Sequence, residues 1–245
     1  MKLFRIWKFT FITVLLAFSS CRKDAAGTAD LYSAVPKSSV LIVESRNIGE
    51  ALKQTSQTSL FHLVDSLPSV LAFSEEVKAL KGNFADDSLH DFLKKRTVLM
   101  TIALSGAEKY GALFIAPGDG DFEKSIGTRL AARYQVSKKT YSQAEVFHFY
   151  NKDKSKNYYV SSYRNLILFS TSSFLLEEGI RQMNSEFSIK QDVQFQKLYN
   201  TSSKKDLANV YINMDELPKY LKTLLPLGDH QFTERMGSWA ELDMQ

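Results

Sequence analysis

The sequence predicts an α+β fold, a mostly antiparallel sheet with helices packed on it. Three observations carry this. Short runs rich in β-branched and aromatic residues follow one another from Thr97 to Ser170, separated by turn signals. Leucine-rich segments with helical spacing lie before, between and after them. A strand, a polar cap and a Leu-faced helix occur in that order twice, as if a second copy of one unit began late in the chain.

Val40-Leu41-Ile42-Val43-Glu44 follows the Pro36-Lys37-Ser38-Ser39 turn and reads as a buried strand. Asn47 caps a helix over about Ile48 to Lys53, with Glu50 placed as in a capping box. Helical spacing returns in Leu60, Leu63, Val64 and Leu67, then in Leu71, Val77 and Leu80, and a further short helix is expected from Ser88 to Lys95. Thr97 to Leu104 and Gly111 to Ile115 are strands joined by a loop at Ser105–Lys109. Pro117-Gly118-Asp119-Gly120 is a turn, and Asp121 caps a helix to about Tyr134.

A meander follows, with strands at Gln135–Tyr141, Glu145–Asn151 and Asn157–Tyr163. Arg164-Asn165 turns tightly into Leu166–Ser170. Ser172 or Ser173 caps a helix through Met183, and another helix covers Val193 to Tyr199. Ala208–Asn213 is a strand, and Asp215 caps a helix from Glu216 to Leu225. This pair repeats the order of Val40–Glu44, Asn47 and its helix. Ser238 to Gln245 alternates apolar and polar residues like a strand. A chain that stops inside a strand is expected to belong to a longer parent, so the organisation reads as an α+β domain over 34–206 and the start of a second unit over 207–245, cut short.

The first residues carry an address. Lys2, Arg5 and Lys8 precede an apolar run from Phe9 to Phe18, and Ser19 and Ser20 lead to Cys21. Charge, apolar run, then small residues is the layout of a secretory leader. The run is about half the roughly 20 residues a spanning helix needs. Leu16-Ala17-Phe18-Ser19-Ser20-Cys21 resembles a lipobox, the recognition site of bacterial lipoprotein signal peptidase, with Phe18 where Leu is usual. The resemblance implies cleavage after residue 20 and acylation of Cys21. Each buried methylene adds about 0.8 kcal/mol of membrane affinity and stable anchoring takes more than one chain. Residues 21–33, small and polar, read as a flexible tether. Cys21 is the chain's one cysteine, so the folded part carries no disulfide.

The formal net charge of +4 is mostly leader. Without Lys2, Arg5 and Lys8, 28 of the 31 basic residues face 27 acidic ones. Lys94-Lys95-Arg96, Lys138-Lys139 and Lys204-Lys205 are too short for a nucleic-acid footprint, so no nucleic acid is expected as a partner.

Catalytic and metal motifs are missing from the sequence. His62, His90, His148 and His230 are never within helical reach of one another, and no H-E-x-x-H, G-x-S-x-G, Walker loop or G-x-G-x-x-G occurs. Gly118-Asp119-Gly120-Asp121 lacks EF-hand spacing and reads as a turn with a cap. Glu75-Glu76 and Asp86-Asp87 are neighbours in sequence and diverge, whereas acid–base pairs must converge. No cofactor and no metal is expected. The meander's aromatics, Tyr141, Phe147, Phe149, Tyr150, Tyr158, Tyr159 and Tyr163, serve the core on one face by strand alternation. Those on the other face, with Tyr158, Tyr159 and Tyr163 as candidates, offer a stacking platform for glycan or peptide.

Val35-Pro36-Lys37-Ser38-Ser39-Val40-Leu41-Ile42-Val43-Glu44 with its helix, and the late Gly237-Ser238-Trp239-Ala240-Glu241-Leu242-Asp243, resemble the N-terminal half of uncharacterised bacterial envelope lipoproteins catalogued only as a domain of unknown function. That resemblance implies a larger α+β protein with more sheet beyond Gln245, and it brings no catalytic residues with it. The expected function is a membrane-anchored envelope lipoprotein, non-catalytic, that binds an envelope protein partner or scaffolds an assembly. It would be held to the bilayer on the periplasmic face or cell surface through acylated Cys21. The alternative is an enzyme acting on envelope glycan or peptide, its site completed by residues beyond Gln245.

Overall fold

The computed structural model describes residues 30–55, 96–106, 109–118, 134–151, 155–224 and 238–244. The fold is α+β, as the sequence predicts. Nine strands form one antiparallel sheet: β1 (Ser39–Ser45), β2 (Val98–Leu104), β3 (Tyr110–Pro117), β4 (Gln135–Tyr141), β5 (Ala144–Asn151), β6 (Lys156–Tyr163), β7 (Leu166–Ser170), β8 (Ala208–Asn213) and β9 (Trp239–Met244). Their spatial order is β4-β5-β6-β7-β3-β2-β1-β8-β9. The described helices are α1 (Ile48–Thr55), α2 (Ser173–Met183), α3 (Val193–Thr201) and α4 (Leu217–Leu224), with 3₁₀ turns at Leu31–Ala34 and Ile189–Gln191.

Both sheet faces are packed, because alternate residues of the central strands are apolar on both sides. On the first face lie Ile42, Leu99, Leu113, Ile115, Leu166 and Leu168, covered by Leu175, Leu176 and Ile180 of α2 and Phe195 of α3. On the second, Val43, Met100 and Ala208 meet Ala51 of α1, while Phe149, Tyr158, Val160 and Ile167 form a separate cluster. Tyr220 of α4 packs edge-on against Tyr110 at 4.8 Å.

Local chemistry sets the element ends. Ser172 accepts from the Leu175 N–H and starts α2. Asp192 accepts from the Gln194 and Phe195 N–H groups and starts α3. The Asn47 side chain accepts from the Glu50 N–H as expected. The Glu50 carboxylate faces Lys53 at 3.9 Å, so that end carries one arm of the expected capping box. Ser142-Gln143 and Arg164-Asn165 all have positive φ, which gives both hairpins the twist that two-residue turns need.

Two expectations change. The tether does not extend to residue 33, because Leu31, Tyr32 and Ala34 are buried in the 3₁₀ turn that Asp30 caps. Their stretch is too short for apolar periodicity to show. At the second strand–helix unit α4 begins at Leu217, and the Asn213 side chain accepts from the N–H groups of Asp215 and Glu216 in the turn before it. Asp215 therefore contributes a donor to this turn and not the capping acceptor.

The late unit enters the same sheet. β8 pairs with β1 from Leu41↔Ile212 to Ser45↔Ala208, and β9 pairs with the outer edge of β8. Among the described residues the order β1, α1, β2 thus has a counterpart in β8, α4, β9, the two running outward in opposite directions from the β1–β8 seam. The helices expected at Leu60–Leu67, Leu71–Leu80, Ser88–Lys95 and Asp121–Tyr134 fall wholly or almost wholly outside the described residues. So do Cys21, His62, His90, His230 and the pairs Glu75-Glu76 and Asp86-Asp87.

Candidate functional site

The three tyrosines proposed as a stacking platform do not share a face. Tyr158 is buried with Phe149, Val160 and Ile167 on the second face. Tyr159 and Tyr163 pack against the core of the first. The two-residue period of a strand sends neighbours to opposite sides, so Tyr158 and Tyr159 cannot form one surface. Tyr163 donates to Asn184 Oδ1 at 2.8 Å, and the Arg164 guanidinium lies 5.2 Å from its ring centroid. Its ring and hydroxyl tie the β6–β7 corner to the end of α2.

Tyr159 stacks on His148 at 4.8 Å with an interplanar angle of 12°. His148 in turn joins three strands. Its Nδ1 lies 3.2 Å from Ser137 Oγ on β4, and its Nε2 lies 2.7 Å from Asn157 Oδ1 on β6. With Nε2–H donating to Asn157, Nδ1 is left to accept the Ser137 hydroxyl. Hydroxyl, base and orienting amide in that order are the parts of an activated nucleophile. Both bonds are exposed, so water competes with each of them. In sequence His148 stands isolated, out of helical reach of the other histidines. The usable signal was the hairpin itself: a two-residue turn at Ser142-Gln143 puts Ser137 opposite His148.

A second constellation lies on the first face, at the seam between β1 and β8. Glu44 of β1 is only 6% exposed, and its strand partners are Leu99 on β2 and Asn209 on β8. Thr101 on β2 is its diagonal neighbour. Tyr32 lies close enough to Glu44 for the carboxylate to act on its hydroxyl. The Tyr32 hydroxyl, Glu44 Oε2 and Thr101 Oγ1 are all buried, and no hydrogen bond closes on any of them among the described residues. Burial first, and then the Glu44 charge, hold the Tyr32 phenol well above its ordinary pKa.

Tyr211, beside them on β8, shares a 2.9 Å hydrogen bond with Ser202 Oγ. Burial raises its pKa as well, and the Ser202 bond works in the opposite direction. Lys204 closes the cluster from outside. Its ammonium lies 3.6 Å from the Tyr199 ring centroid and donates to Tyr199 O at 2.8 Å and Ser202 Oγ at 2.9 Å. Burial lowers its pKa, and the nearby Glu44 partly offsets this. Lys190 lies 4.7 Å from the Tyr32 centroid and 4.8 Å from that of Tyr199, and it donates to Asp30 at 2.9 Å.

The result is a buried carboxylate set beside the buried Tyr32 and Tyr211 phenols, with the Lys204 ammonium close enough to feel its charge. No local signal marks it, since in sequence Glu44 reads simply as the end of an apolar run. Among the described residues no group of three or more His, Cys, Asp or Glu side chains is arranged to hold a metal ion. Comparisons with protein-family models, with curated proteins and with solved structures give no match. Among the described residues no helix is long and apolar enough to cross a membrane.

Proposed function

We propose that this chain is a lipid-anchored protein of the bacterial cell envelope whose α+β domain binds or scaffolds a protein partner. The observation that carries this is the order Lys2-Arg5-Lys8, apolar run, Ser19-Ser20-Cys21. Acylation of Cys21 would leave fewer than ten residues before Asp30, where the fold takes hold. The structure supports a short leash, because Asp30 is bonded to Lys190 and Tyr32 is buried. Force on the anchor would reach the core at the 3₁₀ turn.

The test is metabolic labelling with an alkyne palmitate analogue, followed by membrane fractionation. The wild-type chain should take up label and sediment with membranes, and Cys21→Ser should do neither. An unlabelled wild type, or a Cys21→Ser variant equally retained on membranes, would overturn the anchor.

The second reading is an envelope hydrolase, and the Ser137–His148–Asn157 chain is the observation in its favour. It expects covalent capture of a fluorophosphonate probe at Ser137, abolished by His148→Ala. Absence of capture removes it.

A further inference from the structure

The end of α3 and the first face of β8 bring a hydroxyl, an amine and a phenol together. Ser202 closes the helix, its N–H donating to Leu198 O. Lys204 follows in the connector to β8, and Tyr211 stands on that strand with its ring 5.1 Å from Phe195 of α3. The Lys204 ammonium donates to Ser202 Oγ at 2.9 Å, and the Tyr211 hydroxyl lies 2.9 Å from the same oxygen. The Ser202 hydroxyl donates to Tyr199 O at 2.8 Å, which leaves the phenol as the donor to Oγ. Ser202 is 7% exposed, whereas Lys204 lies on the surface.

Lysine often bonds to the last carbonyl groups of a helix, and such capping accounts for the 2.8 Å contact from Lys204 to Tyr199 O. It does not account for the two donors on Ser202 Oγ. Donors there, one of them charged, favour the build-up of negative charge on the oxygen. A serine hydroxyl within hydrogen-bond reach of a base, itself held by a third group, is the arrangement of an activated nucleophile. Tyr199 is that third group: its carbonyl takes one lysine N–H, and its ring centroid lies 3.6 Å from Nζ.

We propose that Ser202 is a nucleophile for acyl transfer, with Lys204 as its base. This goes beyond the binding reading above and does not rest on the lipid. The substrate class is a small apolar acyl group on a good leaving group, because the hydroxyl is nearly buried and has the Tyr211 phenol and, through Lys204, the Tyr199 ring beside it. With one proton lost, the Lys204 amine keeps an N–H for Tyr199 O and turns its lone pair to the Ser202 hydroxyl. Oγ then attacks the acyl carbon, its proton passes to Nζ, and the leaving group departs with that proton. Water cleaves the ester on Ser202 by the same exchange, which releases the acid and restores the hydroxyl. Burial lowers the Lys204 pKa and so enlarges its neutral fraction. Glu44 on β1 and Glu241 on β9 act against this, while Arg46 and Lys190 act with it. Tyr199 lies against Lys204 directly, and Tyr211 through Ser202.

The experiment is reaction of the full 245-residue chain in detergent with p-nitrophenyl acetate, quenched with acid at short intervals and mapped by peptide mass spectrometry. Ser202 should carry the acetyl group, and its rate of acetylation should rise between about pH 7 and 9 as Lys204 gives up its proton. Lys204→Arg keeps the charge and the donors but does not give up a proton. Its Ser202 should therefore acetylate about a hundredfold more slowly and without that rise. No acetyl group on Ser202, an acetyl group on Lys204 in its place, a flat wild-type profile, or a Lys204→Arg variant as fast as the wild type would overturn the proposal. The map separates Ser202 from Ser137, so failure of the Ser137 reading, or of palmitate labelling at Cys21, would leave these measurements in force.

Discussion

Replacing Gly179 by alanine should destabilise the fold, against the usual direction of that substitution in a helix. Gly179 sits in α2 where the helix crosses β3 and β7. A Cβ built there lies 2.7 Å from Leu168 Cδ2, 2.9 Å from Leu113 Cδ2 and 3.3 Å from the Ala34 carbonyl oxygen. Carbon atoms rest at about 3.5–4.0 Å, so the overlap is about 1 Å at the nearest contact. Both leucines are fully buried, and a close-packed interior offers their methyls nowhere to go. Alanine gains about 1 kcal/mol over glycine in a helix interior. Overpacking a core costs about 1–3 kcal/mol. The balance is a loss of about 1 kcal/mol, or roughly 2–4 °C in melting temperature for a chain of this size. Urea unfolding followed by circular dichroism should show a lower midpoint with an unchanged slope. Leu168→Val removes the methyl nearest the new Cβ, so the double variant should lose less than the sum of the single losses. An unchanged or raised midpoint for Gly179→Ala, or strict additivity in the cycle, would refute the close-approach argument.

Burial keeps the Tyr32 and Tyr211 phenols neutral in the fold, with pKa values raised above the unfolded value of about 10. Their contribution to stability is therefore complete below pH 10 and drains as pH rises beyond it. Urea midpoints between pH 8 and 11 should fall, and Tyr32→Phe should fall less; a flat profile would contradict the burial. At pH 7 Tyr32→Phe also removes a buried hydroxyl that makes no hydrogen bond, so its midpoint should equal or exceed the wild type's. A loss above about 1 kcal/mol would instead show that the hydroxyl is satisfied by a bound water. Gln143 holds φ at 71° in the β4–β5 turn, and Gln143→Gly should stabilise by up to about 1 kcal/mol, checked by the same unfolding measurement. A loss there would mean that the Gln143 side chain contributes more than its backbone strain.

The sheet was legible because most of its strands are set by local pattern. Gln135–Tyr141, Leu166–Ser170 and Ala208–Asn213 have the bounds their composition and turns predict. The other strands differ at their ends by a residue or two. Order in the sheet was not legible. That β8 inserts beside β1, more than 160 residues away, depends on which faces fit and not on any local signal. The candidate sites fail for the same reason. Ser137, His148 and Asn157 meet through strand register. Tyr32, Glu44, Thr101 and Tyr211 meet across two strands and a short turn. Tyr158 parts from Tyr159 and Tyr163 on a simpler point, since adjacent residues of a strand face opposite ways.

The buried acid at Glu44 runs against stability taken alone, because taking a carboxylate out of water is costly. Its position suggests what offsets the cost. The β1–β8 seam is crossed by directional contacts: Ser45 Oγ donates to Leu207 O at 3.1 Å and the Arg46 guanidinium to Asp206 O at 2.7 Å. An apolar seam of valine and isoleucine alone would be strong but indifferent to a slip of two residues, which leaves the faces unchanged. A slip of two here would break these bonds and move Glu44 away from Asn209 and the Tyr32 hydroxyl. A slip of one would turn Glu44 onto the face of Val43 and Met100. Polar groups at this joint therefore act on register more than on strength. That is where register matters most, since the two strand–helix–strand units meet nowhere else in the strand order.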